Sequence, residues 1–437
     1  MTAIREELED WLRIPSVSTG GGDAGALAQA CDWVIDRIEA AGGTADRVSV
    51  NGSHPMAVGE LRASSDGAPT VLSYGHYDVQ DPGPLEMWES PPFEPTERGG
   101  RLYARGAADD KGNFLPLLHV ACELARAGAL PVNVRFLVEG EEEVGSDAVL
   151  QHLRAEPPEV DCAIVFDSLM ADERTPAINT GARGLVQGPV EVRTGRRDLH
   201  SGLYGGAVLN ATHVLMDVLR DVLPGPDGRV REELRAGTAG AGDAERESWA
   251  LLPSGAEMLA EAGAAEVSGT AAAEFWERTG AAPALDVNML TGGEPRTVIP
   301  SVARAQVSLR LAPGQSAQQM AAELERLLRA AVPDGAELSA NFDLADPALF
   351  DAADPALQLA AEAFERACGT TPAFVRLGGT LPLLAVLAEQ KVPTIVSGFA
   401  LGADAFHAPN ESYRLESLRL GEATARELYR SLASLPG

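Results

Sequence analysis

His76 and Asp78 stand two apart where the apolar run 71–75 ends, a spacing that lets both side chains project toward the same side of a pocket floor. A metal-binding imidazole commonly gives its other N–H to a carboxylate, and Asp78 is placed to be that carboxylate. Further on, Asp109 and Asp110 adjoin Lys111 and Gly112 at the expected start of a helix, and adjacent carboxylates call for a cation to offset their repulsion. Lys111 and Lys391 are the only lysines of the chain, which makes the position of Lys111 beside the acid pair notable. The consecutive acids Glu141, Glu142 and Glu143 follow the apolar run 132–138 and precede Gly145 and Ser146, which puts them at a pocket rim beside a helix start. Asp167 closes the run CAIVF, and His407 lies in ADAFHAPNE. Taken singly, each also fits a structural role: a packed histidine, a solvated acidic loop, a strand-end carboxylate. Taken together, imidazoles and carboxylates of this kind can hold divalent cations.

The elements that must position them alternate. Residues 23–41 have apolar positions at helical spacing, with Asp23 as N-cap and Gly42 as the stop. Strands are expected at 56–61 and 70–75, a helix at 113–127 that packs His119, and strands at 132–138 and 162–166. Acids at strand ends in such an alternation describe an α/β sheet whose site lies at its carboxyl edge. After TGARG the pattern changes to strand-like VQGPVEVRT, a helix over 206–222, an Ala-, Gly- and Glu-rich stretch over 224–284 read as exposed loop around AGTAGAGDAERES, strand-like VARAQVSLRLA, a helix over 316–331 and strand-like AELSANFDL. The α/β alternation resumes with a helix at 355–368, PAFVRL, VPTIVSGF and a closing helix at 415–433. The expected fold is α/β: a mixed sheet flanked by helices, built from residues 1–184 and 347–437 and interrupted by a smaller α+β unit over 185–346.

A chain of 437 residues exceeds what one core usually holds, in keeping with two domains. The net charge of −29 argues against nucleic-acid and anionic-membrane partners, which such a surface repels. No apolar run is long enough to span a bilayer, and MTAIREELEDWL is acidic where a secretory signal is basic and then apolar, so a cytoplasmic location is expected. Cys31, Cys122, Cys162 and Cys368 lack CxxC spacing and are expected to be reduced, buried thiols.

YGHYDVQ followed by WESPPFEPTERGGRLYARGAADDKGN resembles the metal-binding region of the M20 family of dinuclear metallopeptidases, in its dipeptidase and carnosinase-like branch. EGEEEVGS, IVFD, RDLHSGLYGGAV, SLRLAPG, GGTLP and ADAFHAPNE match further family pieces in order. The resemblance implies two divalent ions per chain, Zn²⁺ or else Mn²⁺ or Co²⁺. His76 and Asp167 would hold one ion, Glu143 and His407 the other, and Asp109 would bridge them, with Asp78 orienting His76. It implies hydrolysis of the amide bond of dipeptides or short peptides by a water shared between the ions, with Glu142 as general base. It also implies a homodimer in which His200 reaches the partner's site from a lid. Arg310 suits a substrate carboxylate, Gly378, Gly379 and Thr380 can offer donors at a helix start, and Asn288 in LDVNML is a further substrate-binding candidate. The chain departs from relatives that carry an acid before this Gly-Gly pair, because Leu377 stands there; that puts in doubt a substrate amine contact from this position. An N-acyl-amino-acid deacylase or desuccinylase is the alternative within the same chemistry. A catalytically silent metal-binding protein would be expected to have lost a ligand or the base, and none is lost.

Overall fold

The computed structural model describes residues 2–436. Its main layer is a mixed nine-stranded sheet. Thr44–Val48, Met56–Leu61, Asn133–Glu139, Thr70–His76, Cys162–Phe166, Thr394–Ser397, Ala177–Ala182 and Ala348–Leu349 lie side by side in that order, and Ala373–Leu377 pairs parallel to Ala177–Ala182. The central four, from Asn133–Glu139 to Thr394–Ser397, are parallel. Their near-continuous apolar sequence is what a strand covered on both faces requires, and Cys162–Phe166 is buried throughout. Parallel strands bring their carboxyl ends to one edge. That edge carries His76, Glu139 and, one residue beyond Phe166, Asp167. Lys111–Arg126, Pro355–Cys368 and Leu415–Leu432 pack together beside the sheet, as do Asp147–Ala155 and Pro382–Glu389.

Several elements lie where the sequence puts them. Met56–Leu61 and Cys162–Phe166 match residue for residue. Ala24–Ala40 opens with the Asp23 carboxylate accepting from the N–H groups of Gly25 and Ala26 at 2.8 and 3.4 Å. The helix expected over 206–222 starts later, at Ala211, because the Asn210 side chain caps it by accepting from the Thr212 and His213 N–H groups. Among the four cysteines, all free, Cys31, Cys122 and Cys162 are buried and Cys368 is half-buried. Among the described residues no helix is long and apolar enough to cross a membrane.

A second, antiparallel sheet has Gly184–Arg193 between Val302–Leu311 on one side and Glu337–Ala340 and Asp343–Ala345 on the other, with Ala284–Gly292 beyond Val302–Leu311. Helices Ala211–Val222 and Ala317–Ala330 join it around a separate core that includes Val190, Leu215, Leu309, Leu324 and Leu328. The fold is thus α/β, a helix-flanked mixed sheet with a smaller α+β unit.

The stretch 224–284 departs from the expected exposed loop. It contains helices Asp243–Ser248 and Gly255–Glu261, and Trp249, Leu252 and Trp276 pack against Ala177, Ala373 and Val375 of the main sheet. Glu245 is buried in a paired contact with Arg376, whose Nε and Nη2 each donate at 2.8 Å to its carboxylate. Arg376 Nη1 and Nη2 also donate to the carbonyls of Ala239 and Gly240. No local periodicity betrays this, since the partner lies 131 residues away. Burial works to raise the Glu245 pKa, but hydrogen bonds from Arg376, Thr180 and the Gly242 N–H outweigh it and hold the carboxyl below its ordinary range. A carboxyl depressed on folding contributes stability above its unfolded pKa and loses it as pH falls through the folded value. Arg376→Met should therefore cost about 3–5 kcal/mol at neutral pH, because it strands a buried carboxylate. Adding Glu245→Gln should recover part of the loss; urea unfolding from pH 7 downward reads the cost and its decline as pH falls below the ordinary carboxylate range.

Candidate metal centre

His76 ends its strand fully buried. The approach of helix Lys111–Arg126 to this point depends on Gly75, where a Cβ would lie 2.4 Å from the Phe114 ring. His76 Nδ1 is 3.0 Å from the Asp78 carbonyl oxygen and 3.4 Å from its carboxylate Oδ1. Two acceptors on that side favour the Nδ1–H tautomer, which leaves the Nε2 lone pair toward Asp109 Oδ1 at 3.0 Å. Asp109 Oδ2 lies 2.9 Å from His407 Nε2, which is itself 3.2 Å from Glu143 Oε2. Ligand atoms of His76, Asp109 and Asp167 fall within 4.8 Å of one another, and so do those of Asp109, Glu143 and His407. Asp109 belongs to both groups.

Three buried side chains hold this arrangement. Asp78 accepts from Ser18 Oγ–H at 2.6 Å and from the N–H groups of Glu142 and Glu143 at 3.2 Å each, tying the acidic turn to the histidine strand. Glu411 accepts from the N–H groups of Gly106, Ala108 and Asp109 and from Arg105, fixing the loop that carries Asp109. Asn113 donates to the carbonyls of Ala108 and Ser168 and accepts from the Phe399 N–H and the Tyr413 hydroxyl, which joins the neighbours of Asp109 and Asp167. The sequence reading passed over Glu411 and Asn113, although both lie inside DDKGN and HAPNE, the motifs it used. Lys111 does not offset the acid pair. Its ammonium is fully buried and donates to the Trp11 and Ile14 carbonyls at 3.1 and 2.9 Å, and burial pulls its pKa down to about 7 against the pull of Asp78 and Glu411. Asp110 turns inward, where its Oδ2 accepts the His76 N–H at 3.2 Å. Glu141 accepts the His54 N–H, and His119 Nδ1 lies 2.8 Å from Glu7 in a packed setting. His407 sits half-exposed with φ near 60°, a left-handed conformation costly for a non-glycine residue and one that clusters at functional sites.

The charges do not balance. Burial, reinforced by Asp109, Glu143 and Asp78 against the opposing pull of His76, raises the Asp167 pKa to about 7. Burial raises Glu142 as well, with His76 opposing and Asp167, Asp109 and Glu143 adding to the rise. Contacts with Asp109 and Glu143 push His407 up to about 10. His76 also rises: burial works against its charged form, but Asp109 and Asp78 outweigh it. Such a surplus of negative charge around paired nitrogen and oxygen donors fits divalent cations.

Beside this cluster a cavity of about 370 Å³ is lined by Asp109, Glu142, Asp167 and His407 together with Leu169, Leu377, Gly379, Thr380, Leu381, Ala400 and Phe406. Thr380 Oγ1 accepts from Arg310 Nη1 at 3.1 Å and donates to the Arg183 carbonyl at 2.7 Å, while Arg183 Nε donates to the Gly378 carbonyl at 3.0 Å. Burial and the nearby Arg310 charge pull the Arg183 pKa down to about 10, with Asp286 opposing. Arg183 escaped the sequence reading because it stands in TGARG, which served there only as a boundary. His200 and Asn288 do not line the cavity. His200 is exposed on the smaller unit and its Nδ1 accepts the Gly202 N–H, and Asn288 is exposed at a bulge in Ala284–Gly292.

Residues 72–431 match the model of peptidase family M20/M25/M40. The cysteinylglycine-S-conjugate dipeptidase of Corynebacterium striatum is 28% identical over a 437-residue alignment covering 96% of this chain and 94% of that protein. Two solved structures share the fold. The Saccharomyces cerevisiae dipeptidase Dug1p superposes with a TM-score of 0.81 at 21% identity, covering 100% of this chain and 97% of that one. The metallo-carboxypeptidase Sso-CP2 from Sulfolobus solfataricus superposes at 0.84 with 23% identity, covering 100% of both chains. A family match over most of the chain, lying across every ligand candidate described above, makes this protein a metallopeptidase of family M20.

Proposed function

We propose that this chain hydrolyses dipeptides or short peptides with two divalent ions held by His76, Asp109, Glu143, Asp167 and His407, Zn²⁺ foremost and Mn²⁺ or Co²⁺ as alternatives. The observation that carries the reading is Asp109, whose two oxygens face two different imidazoles at 3.0 and 2.9 Å. When bound, a pair of such ions polarises the scissile carbonyl and lowers the pKa of water toward about 7. Glu142, on the cavity wall beside Asp109 and Asp167, takes the proton of the attacking water and hands it to the departing amine. Asp78 keeps Nε2 of His76 free as a donor and fixes the turn bearing Glu142 and Glu143. Residues 1–184 and 347–437 form the catalytic domain and 185–346 the lid and dimerisation domain on this reading. The free thiols support a cytoplasmic setting. The names of the relatives favour peptides, while N-acyl amino acids remain the alternative substrates. Free dipeptides, N-acetyl and N-succinyl amino acids assayed with Zn²⁺, Mn²⁺ and Co²⁺ separate the two: turnover of the free dipeptides upholds the reading, and turnover of the acyl series alone replaces it.

Arg310, steadied against Thr380, is assigned to the substrate carboxylate. Dipeptide amides should then be poor substrates of the wild type, because a charge-assisted pair is lost and a guanidinium is left without its partner. Arg310→Ala should narrow the gap between acid and amide. Equal turnover of both by the wild type would remove the role.

His200 is assigned to the site of the second subunit of a homodimer. Exposed Leu203, Tyr204, Met216, Met289 and Leu290, with Ala284–Gly292 at a sheet edge, support an interface on the smaller unit. Mixing inactive His200→Ala and inactive Glu142→Ala chains under subunit exchange should restore activity, up to about half the wild-type value per hybrid dimer from its one intact site. Exchange without recovered activity would mean that His200 acts within its own chain or not at all.

A further inference from the structure

We infer that the cavity beside the metal centre is a specificity pocket for an apolar substrate side chain, with Leu377 as the residue that decides it. The inference rests on the hydrolase reading and adds a substrate class to it. Every charged residue on the cavity wall, namely Asp109, Glu142, Asp167 and His407, belongs to the metal cluster or its base. The neutral polar side chains are engaged elsewhere. Both ends of the Asn113 amide are hydrogen-bonded within the fold, the Ser168 hydroxyl accepts from Asn179, and the Thr380 hydroxyl lies between Arg310 and the Arg183 carbonyl. What remains is apolar: Leu169, Leu377, Leu381, Ala400 and Phe406. An apolar group entering this wall is stabilised in proportion to the area it removes from water, whereas a charged one loses its hydration and meets no charged wall residue outside the metal cluster and its base.

Leu377 is fixed in place more firmly than a loop residue would be. It ends the strand Ala373–Leu377, its carbonyl accepts the Arg183 N–H at 3.0 Å, and it packs against the main core. It also stands directly before Gly378, Gly379 and Thr380, the segment that meets Arg310. A substrate reaching from the metal cluster to that segment therefore passes along this apolar wall.

The test is kcat/KM for two peptide series, Xaa-Gly and Gly-Xaa, with leucine, glutamate or lysine as Xaa, on the metal-loaded wild type and on Leu377→Glu and Leu377→Thr. The expected result is that in one series leucine exceeds glutamate and lysine by at least roughly tenfold, the least that a single methylene is worth in an apolar pocket. Leu377→Glu should then invert the order of leucine and lysine in that series. Leu377→Thr, which suits a strand and guards against misfolding of the charged variant, should shrink the leucine advantage. Equal rates for the three side chains in both series, or an unchanged order in the folded variants, overturns the inference. If no peptide is cleaved, the peptide-substrate reading fails, and calorimetric binding of the same peptides decides the pocket: tighter binding of the leucine peptides, reduced by Leu377→Thr, upholds it, and equal affinities overturn it.

Discussion

Glu142→Gln should lower kcat by about 10²- to 10⁴-fold, the loss expected when a general base is removed. The metal content should stay at the wild-type level. The prediction separates neighbours that differ in little but direction: Glu143 Oε2 lies 3.2 Å from His407 Nε2, within the second ligand group, whereas Glu142 is in neither group and lines the cavity. Both backbone N–H groups are held by the same Asp78 carboxylate, so an amide at position 142 leaves the turn in place. Metal analysis beside single-turnover kinetics checks the result. Loss of an ion from Glu142→Gln, with Glu143→Gln retaining both, would reverse the two roles.

Asp109→Ala should abolish activity and weaken both ions together. It is the one residue common to the two ligand groups, so its removal takes a donor from each. Altering an outer partner of a metal ligand commonly costs 10–100-fold in affinity, and loss of a shared ligand should exceed about 100-fold at both sites. Glu411→Gln, which weakens the hydrogen bonds that hold the Asp109 loop and takes the charged partner from buried Arg105, should stay nearer that outer-partner range. Competition against a chelator of known affinity reads both constants. Retention of one ion at wild-type affinity in Asp109→Ala would mean that the carboxylate serves a single ion.

How much of this was legible depended on the range over which each feature is determined. Cys162–Phe166 was readable because burial on both faces writes an apolar run into consecutive residues. The start of Ala24–Ala40 was readable because Asp23 caps it locally. Candidate ligands were visible as motifs, and it was the family resemblance, not spacing or periodicity, that put His407 and Asp109 on one ion across 298 positions. The residues that hold the site were harder to see. Glu411 and Asn113 act through backbone groups of distant segments, and Arg183 through the carbonyl of Gly378, contacts that leave no periodic trace. Lys111, notable in sequence for its place beside the acid pair, turns its ammonium toward the Trp11 and Ile14 carbonyls, contacts that adjacency in sequence does not reveal. The buried Glu245–Arg376 pair lay hidden in a run rich in alanine and glycine, where composition suggested solvent.

The central claim is that one carboxylate, Asp109, is shared by two ions. Anomalous scattering from crystals of metal-loaded protein, recorded on either side of the absorption edge of zinc or manganese, tests it most directly. Two peaks per chain, roughly 3.5–4 Å apart as in two-metal hydrolytic sites, are expected. Each should lie on a different oxygen of Asp109, one beside His76 and Asp167 and the other beside Glu143 and His407. A single peak at saturating metal in fully active protein, or two peaks of which only one touches Asp109, would contradict it.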